Sequence, residues 1–169
     1  MKIREKICLW LFTVTDKPYA KYFKKKRKPW SLGIKELMAL PKGTWGNELS
    51  KFLNNNGFEI LPKLERHDAY HVFLKIGIEV KDEIGMQYLL FGNGKRTPYL
   101  FSTMIVGTVL VPDYFKYYKS LYKRGKELPK LYDLKVENML HLLLEEIQKN
   151  YKIIPPLEGE KSCRRKGSE

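Results

Sequence analysis

Cysteine is scarce in this chain. The 169 residues include two cysteines, Cys8 in an apolar N-terminal segment and Cys163 in a polar C-terminal stretch. Their separation excludes a disulfide framework and a CxxC metal site, and sparse cysteine is typical of a reducing compartment. We therefore expect a cytoplasmic protein whose fold depends on its hydrophobic core.

Long hydrophobic runs are also absent. The longest apolar stretch, residues 99–111, has about a dozen residues, fewer than the roughly 20 that span a bilayer. Met1 to Arg4 lead into a short apolar run, but charged Glu5 and Lys6 come early and no small-residue cleavage site follows. This start argues against a signal peptide. Integral insertion into a membrane is therefore not expected.

Acidic residues are outnumbered. The chain has 32 Lys and Arg against 19 Asp and Glu, a formal net charge of +13. Such a charge attracts nucleic acid, acidic lipid headgroups or phosphorylated ligands. The densest basic run, residues 24–28, is interpreted as a loop that is either solvated or in contact with anionic lipid or a ligand phosphate. No signature of a nucleic-acid-binding module is present, so we expect an anionic membrane surface and no nucleic acid as partner.

Apolar residues are ordinary in number and recur at helical spacing. They make up 43% of the chain, which is enough for a buried core. The pattern predicts an all-α protein with a single compact domain of about seven helices over residues 1–154. A polar tail over residues 155–169 is predicted to be disordered.

Several helices carry specific signals. Thr44 is a candidate N-cap, and Gly57 a candidate stop, for one short helix. Residues 99–111 are apolar nearly all round, which predicts a buried helix, with a buried strand as the alternative. Asp133 is predicted to cap a last helix that packs the apolar residues of 136–147 inward.

Two histidines and two carboxylates form the most informative pattern. In a helix over about residues 61–76, with roughly 100° between residues, His71 lies about 40° from His67 and Asp68 about 60° to the other side of His71. Glu83, in the first turn of the next helix, could close the set. Two imidazoles with carboxylates suit zinc, iron or manganese. The sequence therefore predicts a metal site between two consecutive helices, formed by His67, Asp68, His71 and Glu83.

Other interpretations of the histidines remain open. A phosphohydrolase of the His-Asp superfamily would need a separate upstream histidine, and none precedes His67. His67 and His71 could instead be polar residues of a core helix, but Asp68 would then be a buried unpaired carboxylate, which costs several kcal/mol. The third histidine, His141, lies among leucines and is predicted to pack or form hydrogen bonds there, without binding metal.

The metal pattern and the segment before it resemble a known family. The motifs are His67-Asp68-x-x-His71 followed by eleven residues and Glu83 and, upstream, Leu32-Gly33, Leu40-Pro41-Lys42-Gly43-Thr44-Trp45-Gly46, Glu48 and Phe52-Leu53. They resemble, in the same order, segments of the coenzyme Q (ubiquinone) biosynthesis proteins, specifically the fourth of the numbered members. The lack of a mitochondrial presequence indicates a bacterial-type homologue.

The resemblance implies a helical homodimer on the cytoplasmic side of the inner membrane. It also implies a divalent metal, usually zinc, with His67, Asp68, His71 and Glu83 as its ligands. Members of the family are associated with removing the carboxyl group from a prenylated aromatic precursor, coupled to hydroxylation of the same ring carbon. The implied partners are a prenylated aromatic or polyprenyl lipid and other quinone-biosynthesis proteins.

Two functions remain open at this point. The chain is either a metal-dependent decarboxylase or hydroxylase of a prenylated hydroxybenzoate, or a non-catalytic scaffold that binds an isoprenoid lipid. Zinc could act as a Lewis acid but supplies no redox step, so an oxidative reaction would favour iron or an external oxidant. An aromatic and basic face in residues 114–124 either packs in the core or contacts a ligand or membrane.

Overall fold

The computed structural model of the protein describes residues 3–11, 14 and 29–153. Within these residues the chain is helical and contains no strand, apart from one isolated bridge between Thr44 and Leu143. The helices are α1 (residues 3–11), α2 (Ile34–Met38), α3 (Trp45–Asn56), α4 (Glu65–Leu74), α5 (Val80–Gly92), α6 (Pro98–Leu110), α7 (Phe115–Glu127) and α8 (Leu144–Asn150). The predicted all-α class is confirmed. The basic run at 24–28 and the tail at 155–169 lie outside the described residues.

α3 has the limits that its capping residues predict. The side chain of Thr44 accepts a hydrogen bond from the Asn47 backbone N–H. At the other end, Gly57 adopts a left-handed conformation with φ of 64° and donates its N–H to carbonyls of the last turn. Glycine takes this conformation without the steric cost of a side chain. Both predicted signals are confirmed.

A short turn joins α4 to α5. α4 ends at Leu74 because Lys75 adopts a left-handed conformation with φ of 54°. α5 begins at Val80, where the Asp82 carboxylate accepts the Glu79 N–H at 3.3 Å. Glu83 therefore stands in the first turn of α5, as predicted, facing back toward α4 across the turn.

α5 packs tightly on α7. A Cβ on Gly92 would lie 2.1 Å from the Tyr122 carbonyl oxygen, and a Cβ on Gly125 would lie 2.0 Å from the Leu89 carbonyl oxygen. Only glycine permits the two backbones to come this close. α7 also directs its aromatic side chains inward: Tyr118 is fully buried, and Tyr117 donates its hydroxyl to Asp82 at 2.9 Å. Core packing therefore accounts for most of the aromatic face predicted in residues 114–124.

The predicted start of the last helix is wrong. Asp133 does not start it: a single 3-10 turn covers Val136–Asn138, and α8 begins at Leu144. Residues 139–142 form turns and a bend instead, and their carbonyls bind another helix: Leu142 accepts the Trp45 N–H at 2.9 Å, and Leu140 accepts the Gly46 N–H at 2.8 Å. His141 is exposed on this segment, so its predicted packing among leucines is also wrong.

The prediction that residues 99–111 are buried on all sides is wrong as well. α6 buries one side through Leu100, Thr103, Met104 and Gly107. Its opposite side, here termed the outer face, consists of Phe101, Ile105, Val106 and Val109, which are 39 to 73% exposed. Among the described residues, no helix combines the length and apolar character needed to cross a membrane.

Candidate metal centre

α4 presents its two histidines on one side. Residues four apart on a helix lie nearly above one another, and the rings of His67 and His71 meet edge to face with centroids 4.8 Å apart. His71 is 2% exposed, whereas about a third of the His67 side chain is accessible. The pair therefore has a deep member and a member at the surface.

Glu83 completes the group from α5. Its Oε2 lies 3.1 Å from Nε2 of His67, and its Oε1 lies 3.1 Å from Nε2 of His71. The candidate ligand atoms of these three side chains all lie within 4.8 Å of one another. One carboxylate thus faces both imidazoles, each through a different oxygen.

The turn after α4 sets the orientation of His71. Nδ1 of His71 lies 2.9 Å from the carbonyl oxygen of Gly77 and 3.3 Å from that of Ile76. Because a carbonyl only accepts, Nδ1 carries the hydrogen. Nε2 then presents a lone pair toward Glu83 when the ring is neutral, and this buried atom has no hydrogen-bond partner. A lone pair facing a carboxylate calls for a cation between them.

The ionisation of His67 and Glu83 is consistent with a positive charge at this position. Burial alone would lower the pKa of His67, but the charge of Glu83 and the hydrogen bonds to Asp68 and Glu83 outweigh it and raise the pKa to about 10. Burial likewise favours the neutral form of Glu83, yet the two imidazoles lower the pKa of its carboxyl well below the usual range. In the metal-free protein, a proton on His67 supplies the positive charge.

A divalent metal fits the donor set. Zinc binds imidazole nitrogen and carboxylate oxygen at about 2.0–2.2 Å, so neighbouring donors in a tetrahedral site lie roughly 3.3–3.5 Å apart. The two nitrogen to oxygen separations of 3.1 Å are close to that spacing. His71 also has its other ring nitrogen on a backbone carbonyl, which is the usual support for a metal-binding imidazole.

Asp68 stands apart from the other three predicted ligands. Its Oδ1 lies 3.5 Å from Nδ1 of His67, on the opposite edge of the ring from Nε2. It is not among the three residues whose ligand atoms converge. In this arrangement Asp68 orients His67 and stabilises its protonated form.

An apolar wall adjoins the histidines. The ring of Phe52 lies parallel to His71, with an interplanar angle of 10° and centroids 6.1 Å apart. Phe58 packs edge to face on Phe52 and is 39% exposed. The site therefore has a polar end at Glu83 and an aromatic side leading toward solvent.

Sequence reasoning missed the part played by Gly77. Its contribution is a backbone carbonyl, and no residue type identifies such an acceptor in advance. A Cβ on Gly77 would lie 2.4 Å from Oδ2 of Asp82, so the turn fits closely against α5. The only available signal is a glycine a few residues after a metal-motif helix.

Comparison with known proteins places the fold. A crystal structure of a Nostoc punctiforme PCC 73102 protein, provisionally assigned to ubiquinone biosynthesis, superposes with a TM-score of 0.60 at 20% sequence identity. The similarity covers 90% of this chain and 82% of the other. No protein-family model and no curated protein sequence matches the chain. The shared fold is thus a helical one found in a protein with that assignment.

Proposed function

We propose that the chain binds a divalent metal through His67, His71 and Glu83 and takes part in ubiquinone biosynthesis by holding the polar headgroup of a prenylated aromatic precursor. The observation that carries the proposal is the Glu83 carboxylate, which lies 3.1 Å from an Nε2 atom of each histidine, one of them buried and without a hydrogen-bond partner. Such an arrangement is stabilised by a shared cation.

Zinc is the metal that the sequence resemblance favours, and iron and manganese suit the same donors. Asp68 remains a proposed fourth ligand, although its carboxylate contacts the Nδ1 edge of His67. When bound, a zinc ion would act as a Lewis acid toward a carboxylate or phenolate oxygen. A coupled hydroxylation needs an oxidant as well, which zinc does not provide.

Metal content tests the site directly. The full-length protein is loaded with zinc, iron or manganese, desalted and subjected to elemental analysis, together with His71→Ala and the control His141→Ala. His141 is exposed and lies outside the converging group, so the control removes an imidazole without touching the site. We expect about one ion per chain in the wild type and the control, and a loss in His71→Ala. Equal metal content in all three would contradict the assignment.

The substrate proposal rests on two supports. The first is the resemblance of the residue 32–53 and 67–83 motifs to the ubiquinone biosynthesis family, and the second is the fold shared with a protein provisionally assigned to that process. The aromatic wall of Phe52 beside His71 suits a flat ring next to the metal. Removal of the ring carboxyl with hydroxylation of that carbon is the reaction that we propose.

A scaffold is the second candidate function. It is favoured by the outer face of α6, where Ile105 is 64% and Val109 73% exposed. Such apolar patches mark contacts with membranes or proteins. Arg4 of α1 forms an ion pair at 2.8 Å with Asp113, which follows α6 in the chain, and α1 adds the exposed Trp10. With a net charge of +13, an anionic membrane is the proposed occupant, and a second chain or another quinone-biosynthesis protein is the alternative.

Turnover separates the two functions. Metal-loaded protein is incubated with a prenylated hydroxybenzoate and dioxygen, and carboxyl loss is followed by mass spectrometry. Product in the wild type and none in His71→Ala would support the enzyme. The scaffold is supported if no metal yields product while native mass spectrometry detects a co-purified isoprenoid and site variants still function in cells.

A further inference from the structure

Gln87 is a buried polar residue with an unsatisfied acceptor. It is 2% exposed, and its Oε1 atom has no hydrogen-bond partner among the described residues. A buried amide oxygen in this state costs free energy unless a ligand or a water donates to it. The neighbouring side chains along α5, Met86 and Leu90, are themselves buried and apolar.

Several other buried polar side chains among the described residues have hydrogen-bond partners. Gln148 is 5% exposed and donates its Nε2 to the Phe73 carbonyl at 2.8 Å. Asn47 and Arg66 each leave one atom unpaired, but other atoms of the same side chains bind Met38 and Glu137. Asn47 and Gln87 therefore each leave a buried amide oxygen without a partner, and of the two only Gln87 lies on α5, the helix that carries Glu83.

The position of Gln87 relates it to the metal centre. It follows Glu83 by four residues, which places it one turn further along the same side of α5, about 40° round and about 6 Å along the axis. That rise is similar to the span of a benzene ring with polar groups at opposite ends. Glu83 and Gln87 are therefore spaced to contact polar groups at opposite ends of one ring.

We propose that Gln87 recognises the ligand, accepting through Oε1 a hydrogen bond from a ring hydroxyl while the opposite polar group of the ring is held at His67, His71 and Glu83. The inference rests on the function proposed above and adds a specificity determinant to it. A neutral acceptor in an apolar setting selects for a hydroxyl donor and against the analogue that lacks it.

Calorimetry with two ligands tests this role. The metal-loaded full-length protein is titrated with a short-chain prenylated para-hydroxybenzoate and with the same compound lacking the ring hydroxyl. The wild type is expected to bind the hydroxylated compound about tenfold more tightly, as one neutral hydrogen bond implies. Gln87→Met, similar in length but without the acceptor, is expected to bind both equally.

The results of the titration separate the role of Gln87 from the proposed class of ligand. If Gln87→Met keeps the tenfold preference, or the wild type has none, the recognition role is wrong while the proposed ligand class stands. If the wild type binds neither compound, the ligand class is wrong and the inference is overturned with it.

A second measurement needs no ligand. Replacing an unpaired buried amide by an apolar side chain of similar size is neutral or stabilising, whereas removing a satisfied amide is destabilising. Gln87→Met should therefore keep or raise the unfolding temperature of the ligand-free protein, and Gln148→Met should lower it. A large fall for Gln87→Met would mean that the amide is already paired within the protein, which would also overturn the inference.

Discussion

The ionisation of His67 provides a sharp test of the metal centre. In the metal-free protein its pKa is raised to about 10, chiefly because the attraction of Glu83 outweighs the effect of burial. At pH 7.5 more than about 99% of His67 is then protonated, compared with about 10% for a histidine at its ordinary pKa near 6.5. A metal that binds Nε2 must displace this proton. About one proton per chain should therefore leave His67 on binding.

Calorimetry in two buffers of different ionisation enthalpy measures the released protons. We expect about one from His67 at pH 7.5, and a metal affinity that rises about tenfold per pH unit until the pH approaches 10. Glu83→Gln removes the charge that holds the proton. In the metal-free variant the pKa of His67 should fall toward its ordinary value, with the remaining rise due to Asp68, and a nuclear magnetic resonance titration of the ring would detect the change.

The sign of the stability change follows from the same shifts. Because the folded pKa of His67 is raised, its stabilising contribution is full below the unfolded pKa near 6.5 and is lost as the pH rises through about 10. Because the pKa of Glu83 is lowered, its contribution is present above about 4.5 and is lost as the pH falls. Metal-free protein should thus lose stability from pH 7 to 10 while metal binding strengthens. Proton release near zero in the wild type would refute the reasoning.

Two further predictions concern the turn and the outer face. Gly77→Ala places a Cβ 2.4 Å from Asp82 Oδ2 and should shift the carbonyl that orients His71. Metal affinity, measured by chelator competition, should therefore fall about 10- to 100-fold. The control Ile78→Ala, at an exposed neighbouring residue, should leave the metal affinity unchanged. Replacing Ile105 and Val109 together by Gln should weaken sedimentation with anionic vesicles at least about tenfold, with Ser102→Gln as the exposed polar control. If vesicle binding persists but a dimer becomes a monomer, the face binds a second chain instead.

The convergence of His67, His71 and Glu83 was predictable because it depends on local rules. Spacing by four residues places His67 and His71 on one side of a helix whatever surrounds it. Glu83 follows a short turn that leaves little choice of position, and the first turn of a helix favours a carboxylate. These three residues converge as expected. Asp68 shares the face of α4 but turns toward the other edge of His67, a side-chain choice that helical geometry does not decide.

The errors have three origins, and the first is contact between distant parts of the chain. Leu140 and Leu142 have a helical apolar pattern, yet their carbonyls accept hydrogen bonds from the start of α3, about 95 residues earlier. The outer face of α6 is apolar in composition but lies on the surface, since burial depends on which elements cover a helix. The Gly77 carbonyl illustrates a third limit of prediction, because the type of a residue does not indicate whether its backbone carbonyl will accept a hydrogen bond from a side chain.

The two hydrogen bonds between the start of α3 and residues 140 and 142 also bear on the order in which the chain folds during synthesis. A ribosome releases α3 and the histidine helix that packs on it well before the residues that satisfy the Trp45 and Gly46 amides. Until then these two donors have only water. The first turn of α3 can therefore complete its hydrogen bonds only after the last part of the domain has emerged from the ribosome.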